Sequence, residues 1–328
     1  MTENNDGIKR IAVMTSGGDA PGMNAALRAV VRTALAYQLD VFGIHQAYYG
    51  LLHDRLERLG ARDVGGIIQK GGTVLQTARL PEFSQVEVQK EALANLRKHE
   101  IDALVVIGGD GSLRGAHALH LLGMPVVGVP ASIDNDIWGT NMAIGVDTAI
   151  NTILDAIDKV RDTASSHQRT FLIETMGRDN GYLALMAGIS GGAEVTLIPE
   201  HPVTLEEVQR RVQHAYVRGK SHAIIINAEG SGIKSEDIVH YLKDHNFGYD
   251  IRMTILGHVQ RGGSPSGFDR LLATRLGHGA VECLVNGQTD VMVGLDGRRI
   301  RAVPIDDVIN NERSANLQYY ALIELLAR

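Results

Sequence analysis

Short β-branched runs alternate with helical patterns along most of this chain, and that alternation admits few folds. The runs expected to form strands are residues 10–14, 41–45, 103–107, 126–129, 170–174, 194–198, 223–227, 252–256 and 291–294. Helical patterns occupy 22–39, 85–99, 112–122, 147–163, 205–218 and 265–286. Several strand candidates are apolar without clean alternation, so both faces of their sheets are expected to be covered. That is the pattern of α/β units with mostly parallel strands. Glycine clusters stand where strands hand over to helices: Gly17-Gly18, Gly108-Gly109-Asp110-Gly111, Gly177, Gly191-Gly192 and Gly262-Gly263. In open α/β sheets the carboxyl ends of the strands form the ligand crevice, so these glycines mark the rim where chemistry is to be sought. The 328 residues are enough for about two domains, with a boundary near residue 145, ahead of the helical pattern at Asp147.

Composition narrows the partners. The net charge of −6 comes from interspersed acids and bases and lacks the basic stripe of a nucleic-acid surface. An apolar share of 44% and a charged share of 21% are those of an ordinary globular protein. The single cysteine, Cys283, excludes an internal disulfide framework and suits a reducing compartment. The polar start MTENNDGIKR has no apolar signal core, and no run reaches the roughly 18 apolar residues of a membrane span. The expectation is a soluble, cytoplasmic protein with neither nucleic-acid nor membrane partners.

The first glycine loop, IAVMTSGGDAPGMNAALRAVV, runs from strand to helix, and Gly17, Gly18 and Gly22 let the backbone approach a phosphate closely. It has the outer glycine spacing of a P-loop. Met23 and Asn24, however, stand where Lys and Ser or Thr belong, so a Walker-type site is not expected. A tight turn closed by a helix cap is the plainer alternative.

The second loop, VVIGGDGSLRGAHAL, has glycines at 109, 111 and 115 and misses the dinucleotide spacing by one residue. Asp134, about twenty positions onward, could be the ribose partner of a dehydrogenase. Asp110 weighs against that reading. An ionised carboxylate inside a phosphate-cradling loop repels a bare pyrophosphate, whereas Mg2+ between them reverses the sign. A turn-forming Asp-Gly is the alternative, but the strand-end position beside the IDND segment favours metal–nucleotide chemistry.

In PVVGVPASIDNDIWGT an apolar run ends at Pro130, and Asp134 and Asp136 follow. If residues 133–136 are extended, both carboxylates point to one side. They then share a metal neighbour, or one of them acts as a base. Phosphoryl transfer needs positioned phosphates, Mg2+, positive charge around the migrating group and a carboxylate to receive the acceptor's proton. Ser132 adds a hydroxyl near the acceptor. An Asx-turn or helix cap is the structural alternative.

Positive charge recurs at other handovers, with Arg178 in MGRDNGY and His258 and Arg261 in GHVQRGGSP. Histidine and arginine flanked by glycine suit a sugar phosphate. Arg169 and Arg252 instead begin their strands, at the opposite edge. If both bind phosphate, they serve a separate site or reach a neighbouring subunit's crevice, and the latter requires an oligomer.

With these residues assembled, the chain resembles the phosphofructokinase family, within it the bacterial ATP-dependent 6-phosphofructokinases. The match carries TSGGDAPGMNAALR, GGTVLQTAR, VIGGDGS, SIDNDIWGT, SSHQR, ETMGR, GGAE and LGHVQRGGSP, in order, over nearly the whole length. The resemblance implies a homotetramer of subunits with two Rossmann-like three-layer α/β/α domains and mostly parallel sheets. A large ATP-binding domain would comprise 1–145 plus 260–313, and a smaller fructose-6-phosphate domain 146–259 plus 314–328.

The implied reaction moves the γ-phosphoryl group of MgATP to the 1-hydroxyl of fructose 6-phosphate, a glycolytic step giving fructose 1,6-bisphosphate and ADP. Asp134 would be the general base, and Asp110 would help hold Mg2+ with Asp136 close by. Gly17, Arg79, Leu80, Phe83, Gly111, Ser112 and Gly115 would line the ATP site, with Arg79 and Arg178 offsetting charge on the transferring group. Ser132, Met176, Gly177, Glu229, His258 and Arg261 would hold the sugar phosphate, and Arg169 and Arg252 would come from the adjacent subunit.

Relatives that use pyrophosphate carry Asp after GGD and Lys shortly before IDND. Gly111 and Ala131 stand at those positions here, so ATP is the expected donor. The resemblance further implies an interface site for ADP or phosphoenolpyruvate at Arg28, Arg32, Arg55, Arg161, Glu194, Arg218, Lys220 and His222. Arg28 and Arg32 share a helix face, which is also what a solvated face would show. Gly60 replaces an acid of that pattern and Ser221 a lysine, so the preferred effector is not legible. Ser132 replaces a more common threonine and keeps the hydroxyl.

Overall fold

The computed structural model describes residues 7–167, 169–245 and 250–326. The first six residues of the polar start, Gln168 of the SSHQR segment, 246–249 and 327–328 lie outside the described residues. The elements are, in order, β1 (Arg10–Thr15), α1 (Met23–Ala36), β2 (Asp40–Ile44), α2 (Ala47–Leu52), β3 (Leu56–Leu59), α3 (Val86–Lys98), β4 (Ala103–Gly108), α4 (Asp110–Leu121) and β5 (Val126–Pro130). There follow α5 (Val146–His167), β6 (Thr170–Thr175), α6 (Tyr182–Ser190), β7 (Val195–Leu197), α7 (Leu205–Val217), β8 (Ala223–Ala228), α8 (Ser235–Asp244) and β9 (Ile251–Ile255). The chain continues with α9 (Gly267–Val285), β10 (Val291–Asp296), β11 (Arg299–Pro304), α10 (Ile305–Asn310) and α11 (Leu317–Leu326).

Two units result, one formed by the chain up to Thr148 with Arg261–Arg313, the other by Ala149–Gln260 and the chain from Ser314. The first crossing falls inside α5 rather than ahead of it. Asp269, fully buried near the start of α9, accepts hydrogen bonds from Gly145 N (3.0 Å), Thr148 N (2.8 Å) and Thr148 Oγ1 (2.5 Å). The first turn of α5 is thereby held to α9. Burial pushes the Asp269 carboxyl up, and these donors act against the shift.

The first unit is built on a seven-stranded sheet ordered β11-β10-β5-β4-β1-β2-β3. Its interior pairings are parallel, and β2–β3 and β10–β11 are antiparallel. Every residue of β4 and β5 is buried, so helices cover both faces, as continuous apolar runs demand. The edges β3 and β11 were not expected from sequence. LERL and RIRAVP mix charge with apolar residues because one of their faces meets water. Helices α1 and α9 approach closely at Gly277, where a Cβ would stand 2.6 Å from the Ala26 carbonyl oxygen.

The second unit holds a four-stranded parallel sheet ordered β7-β8-β6-β9. β8 is buried throughout, and Leu172, Val195, Val208, Val212, Ile225 and Ile238 belong to its core. The strand at 194–198 is shorter than expected, and Glu194 falls outside it. β9 is an edge strand whose Met253 and Ile255 are exposed, as is Val259 beyond it. Among the described residues no helix is long and apolar enough to cross a membrane.

The α7 helix begins with Thr204, whose side chain accepts from Glu207 N at 3.3 Å, an N-cap that satisfies one of the helix's unpaired donors. Glu207 then receives Arg210 (2.7 and 2.8 Å) and Arg211 (2.7 Å), and Arg211 reaches Glu324 of α11 at 2.7 Å. The two guanidinium groups hold the Glu207 carboxyl down at about 2. Its stabilisation is therefore present above the ordinary glutamate value of about 4.3 and is lost as pH falls toward about 2. Glu207→Gln is expected to lower stability by about 1 kcal/mol at pH 6. In urea unfolding, the difference from wild type should shrink progressively below pH 4.

Candidate active site

At the carboxyl end of β1 the chain runs through Ser16, then Gly17 with φ +85°, and enters α1 at Gly22 with φ +114°. Both values lie in the left-handed region that glycine adopts without steric cost. The second loop lies against it. Ser112 Oγ donates to Ser16 Oγ at 2.9 Å, and Ser16 N donates to Ile107 O at 2.9 Å. A Cβ on Gly108 would stand 2.6 Å from the Ser16 carbonyl oxygen and 2.7 Å from Ser112 Oγ. Gly17 and Gly18 are exposed at the surface of this junction.

Asn24 explains the departure from a P-loop. It is fully buried and spans to a distant segment. Its Nδ2 donates to the carbonyls of Lys70 (3.0 Å), Gly71 (3.2 Å) and Gly72 (3.1 Å), and its Oδ1 accepts from Val74 N at 2.8 Å. Thr77 Oγ1 also donates to Gly17 O at 3.0 Å. Arg79, exposed, and Leu80, half-buried, follow this tethered segment. Gly71 packs against the Gly263 carbonyl, and the Arg261 guanidinium lies against Gly18. Arg261 is thus placed beside the first glycine loop, in the first unit.

In the second loop Asp110 is the first residue of α4, and its Oδ2 accepts from Arg114 Nε at 2.7 Å. Its Oδ1 accepts no hydrogen bond among the described residues. Gly111 has open space where a side chain would stand. Phe83 and Gly115 meet through a residue that sequence reasoning missed, Tyr48. Its ring stacks on Phe83 at 4.1 Å between centroids and lies where a Gly115 Cβ would be. Its hydroxyl donates to Ser112 O at 2.6 Å, and burial pushes its pKa upward.

The third loop follows β5. Ala131 N donates to Gly108 O at 3.0 Å, which sets this loop beside the second. Residues 133–136 are not extended, so the condition for both carboxylates pointing to one side is not met: Ile133 and Asp134 form a turn and Asn135 is left-handed at φ +52°. Asparagine is among the few residues that visit this region routinely, and here its buried side chain is fixed as well. Its Oδ1 accepts from Ala143 N at 3.0 Å and from Arg313 Nη1 at 3.3 Å. Burial still alternates: Ile133, Asn135 and Ile137 are inside, Asp134 is half-buried and Asp136 exposed. Ser132 Oγ donates to Asp136 Oδ1 at 2.9 Å and accepts from Asp134 N at 3.3 Å. Ser132 therefore ties both aspartates into one local turn.

Among the described residues no three His, Cys, Asp or Glu side chains gather as a metal site. The donor set fits a magnesium that keeps most of its shell as water and phosphate oxygen, with an open Asp110 oxygen beside an open glycine.

In the second unit the loops after β6, β8 and β9 interlock. Glu229 N donates to Thr175 O (2.9 Å), Gly230 N to Gly177 O (3.1 Å) and Leu256 N to Glu174 O (3.1 Å). Gln260, fully buried, accepts from Met176 N at 3.3 Å. Gly177 has φ +132°, and a Cβ there would lie 2.7 Å from Asn180 O. Arg178, Glu229 and His258 are exposed on this rim. At the other end of the sheet Arg169 and Arg252 share Asp250, at 3.0 and 2.8 Å.

The residues implied for an effector fall in both units. In the first, Arg28 is half-buried and Arg32 Nη2 donates to Ala61 O at 3.5 Å. Arg55 bonds Gln46 and lies over the Tyr49 ring at 5.2 Å. Gly60 N donates to Asp63 Oδ2 at 2.7 Å, so an acid stands three residues from the one that Gly60 lacks. In the second unit Glu194 is buried and accepts from Lys220 Nζ (2.8 Å) and Ile224 N (2.6 Å). Arg161 bonds Gly191 O, and Arg218 Nε donates to His214 O at 3.2 Å. Burial holds the His222 pKa down; Arg161 and Lys220 push the same way and Glu194 opposes them. Ser221 Oγ lies 3.2 Å from His222 Nδ1.

Glycine loops, a first-turn aspartate and a carboxylate turn stand at the carboxyl ends of three adjacent parallel strands, the place where α/β proteins bind phosphate-bearing ligands. The chain belongs to the phosphofructokinase family, whose profile matches residues 10–284. It is 50% identical over 315 residues to the ATP-dependent 6-phosphofructokinase of Macrococcus caseolyticus, with 96% of this chain and 98% of that protein covered. It is likewise 50% identical over 321 residues to that of Thermotoga neapolitana, covering 98% and 100%. Among solved structures, the phosphofructokinase of Pichia pastoris in the T-state superposes with a TM-score of 0.88 at 35% identity. That match takes in 98% of this chain but 40% of the much longer yeast chain.

Proposed function

We propose that the chain is an ATP-dependent 6-phosphofructokinase, transferring the γ-phosphoryl group of MgATP to the 1-hydroxyl of fructose 6-phosphate. The observation that carries this reading is the adjacency of Asp110 and Asp134 on loops after neighbouring strands, joined by the Ala131 N to Gly108 O bond. The nucleotide phosphates lie against Gly17, Gly18 and the α4 terminus at Gly111 and Ser112, where the helix dipole favours anions. Arg79, Leu80, Phe83 and Gly115 form the rest of the nucleotide site, and Tyr48 backs the last two.

Asp110, helped by Asp136, would hold Mg2+, which would supply positive charge to neutralise the phosphates. Asp134 takes the proton of the acceptor hydroxyl, Ser132 orients it, and Arg79 and Arg178 offset charge on the group in transit. Met176, Gly177, Glu229, His258 and Arg261 bind the sugar phosphate. ATP rather than pyrophosphate is the donor: Gly111 leaves its surroundings open for the α-phosphate, and Ala131 supplies no lysine. Initial rates with MgATP against Mg–pyrophosphate test this. Faster turnover with pyrophosphate would overturn the donor assignment.

The enzyme is a cytoplasmic homotetramer, in which Arg169 and Arg252 complete a neighbour's sugar-phosphate site. Two observations support an oligomer. Both arginines sit at the end of their sheet away from the loop rim, and the β9 edge exposes apolar side chains, which isolated sheet edges avoid. Arg252→Ala is expected to raise the fructose 6-phosphate KM about 10-fold or more and to weaken cooperativity, since a charge-assisted phosphate contact is lost. A fully active monomer in sedimentation and assay would contradict it. ADP and phosphoenolpyruvate are the proposed effectors, bound by Arg28, Arg32, Arg55, Arg161, Glu194, Arg218, Lys220 and His222. Asp63 is in place to supply the acid that Gly60 lacks.

A further inference from the structure

Arg114 stands four residues after Asp110, so the two share a face of α4. Its guanidinium is tethered at both ends. Nε donates to Asp110 Oδ2 at 2.7 Å, and Nη2 donates to Ile309 O at 2.5 Å. Ile309 lies in the last turn of α10, where carbonyls lack helical partners. One turn further along α4, His117 binds Asp290 at 2.9 Å and lies 3.9 Å from Asp306 of α10, a second tie between the same two helices. The positive charge is therefore held at the carboxylate rather than free to swing away. It occupies Oδ2 and leaves Oδ1 open.

We propose that Arg114 is a positioning residue whose charge makes Asp110 a ligand for metal–nucleotide rather than for the free cation. The proposal rests on the reading that Asp110 holds Mg2+. A bare divalent ion approaching Oδ1 meets a carboxylate already neutralised and a guanidinium that repels it. Magnesium bound to a nucleoside triphosphate is a net anion, and the same guanidinium attracts it. Coulomb's law gives the two encounters opposite signs. Among the described residues no three His, Cys, Asp or Glu side chains gather to hold the ion without the nucleotide.

Electron paramagnetic resonance titration of the ligand-free protein with Mn2+, with and without the β,γ-imido analogue of ATP, tests this. The variants are Arg114→Gln, Arg114→Lys and Asp110→Asn. Arg114→Gln is expected to bind Mn2+ alone about 5- to 20-fold more tightly than wild type and the manganese–nucleotide several-fold more weakly. Arg114→Lys keeps the charge and should restore both values, which a merely structural arginine would not require. Affinities within twofold of wild type in Arg114→Gln, for ion and complex alike, would overturn the proposal while Asp110→Asn still weakens the complex. If Asp110→Asn leaves manganese–nucleotide affinity unchanged, the placement of the metal on Asp110 fails first and the proposal falls with it.

Discussion

Asp134→Asn is expected to lower turnover by about 10²–10⁴-fold while MgATP and fructose 6-phosphate still bind within a few-fold of wild type. Asparagine matches aspartate in size, and the bond that sets the turn uses the Asp134 backbone N–H to Ser132 Oγ, which the substitution leaves in place. The flanking scaffold is also held by other side chains. Asn135 holds Ala143 through its own side chain, and Arg313 Nη2 donates to Asn141 O at 2.8 Å. What is lost is the group that accepts the hydroxyl proton in the transition state. Steady-state kinetics with direct binding of both substrates separates the two effects. Loss of binding in step with turnover would make Asp134 a binding residue and return the base to another group.

Asn24→Ala is expected to have the next largest effect, on stability and nucleotide affinity together. The substitution removes a fully buried side chain and strips its partners, the carbonyls of Lys70, Gly71 and Gly72 and the N–H of Val74, in a part-buried segment. A loss of about 2–4 kcal/mol follows from unsatisfied groups of this kind. The segment freed is the one leading to Arg79, Leu80 and Phe83, so the MgATP KM should rise about tenfold while the fructose 6-phosphate KM moves little. Urea unfolding and both KM values check this. An unchanged midpoint would mean that water replaces the amide without loss.

The difference between these two residues shows what the sequence makes legible. Asp134 stands in a motif whose neighbours in the chain are also its neighbours in the turn, so its chemistry can be read locally. Asn24 could be read only as the absence of a P-loop lysine and hydroxyl. Its partners lie 46 to 50 residues away, and nothing within a strand or helix period points to them. Tyr48 and Arg313 escaped for the same reason: Tyr48 meets Ser112 across 64 residues, and Arg313 meets Asn141 across 172.

The fold divides in a similar way. Interior strands such as β4, β5 and β8 are buried on both faces and appear as unbroken apolar runs. β3 and β11, with one face in water, do not. α6, reading YLALMAGIS, is apolar nearly all round and carries no helical period to detect. Between an extended 133–136 and a turn the sequence did not decide; the turn prevails at Asn135, where tertiary hydrogen bonds hold a left-handed residue.

Phosphoryl transfer to the sugar hydroxyl is tested most directly by 31P NMR of the protein mixed with MgATP and fructose 6-phosphate. The expected spectrum shows ATP converted to ADP with stoichiometric growth of a new phosphomonoester at the 1-position of the sugar. ATP and fructose 6-phosphate persisting unchanged, or inorganic phosphate forming without the bisphosphate, would contradict it.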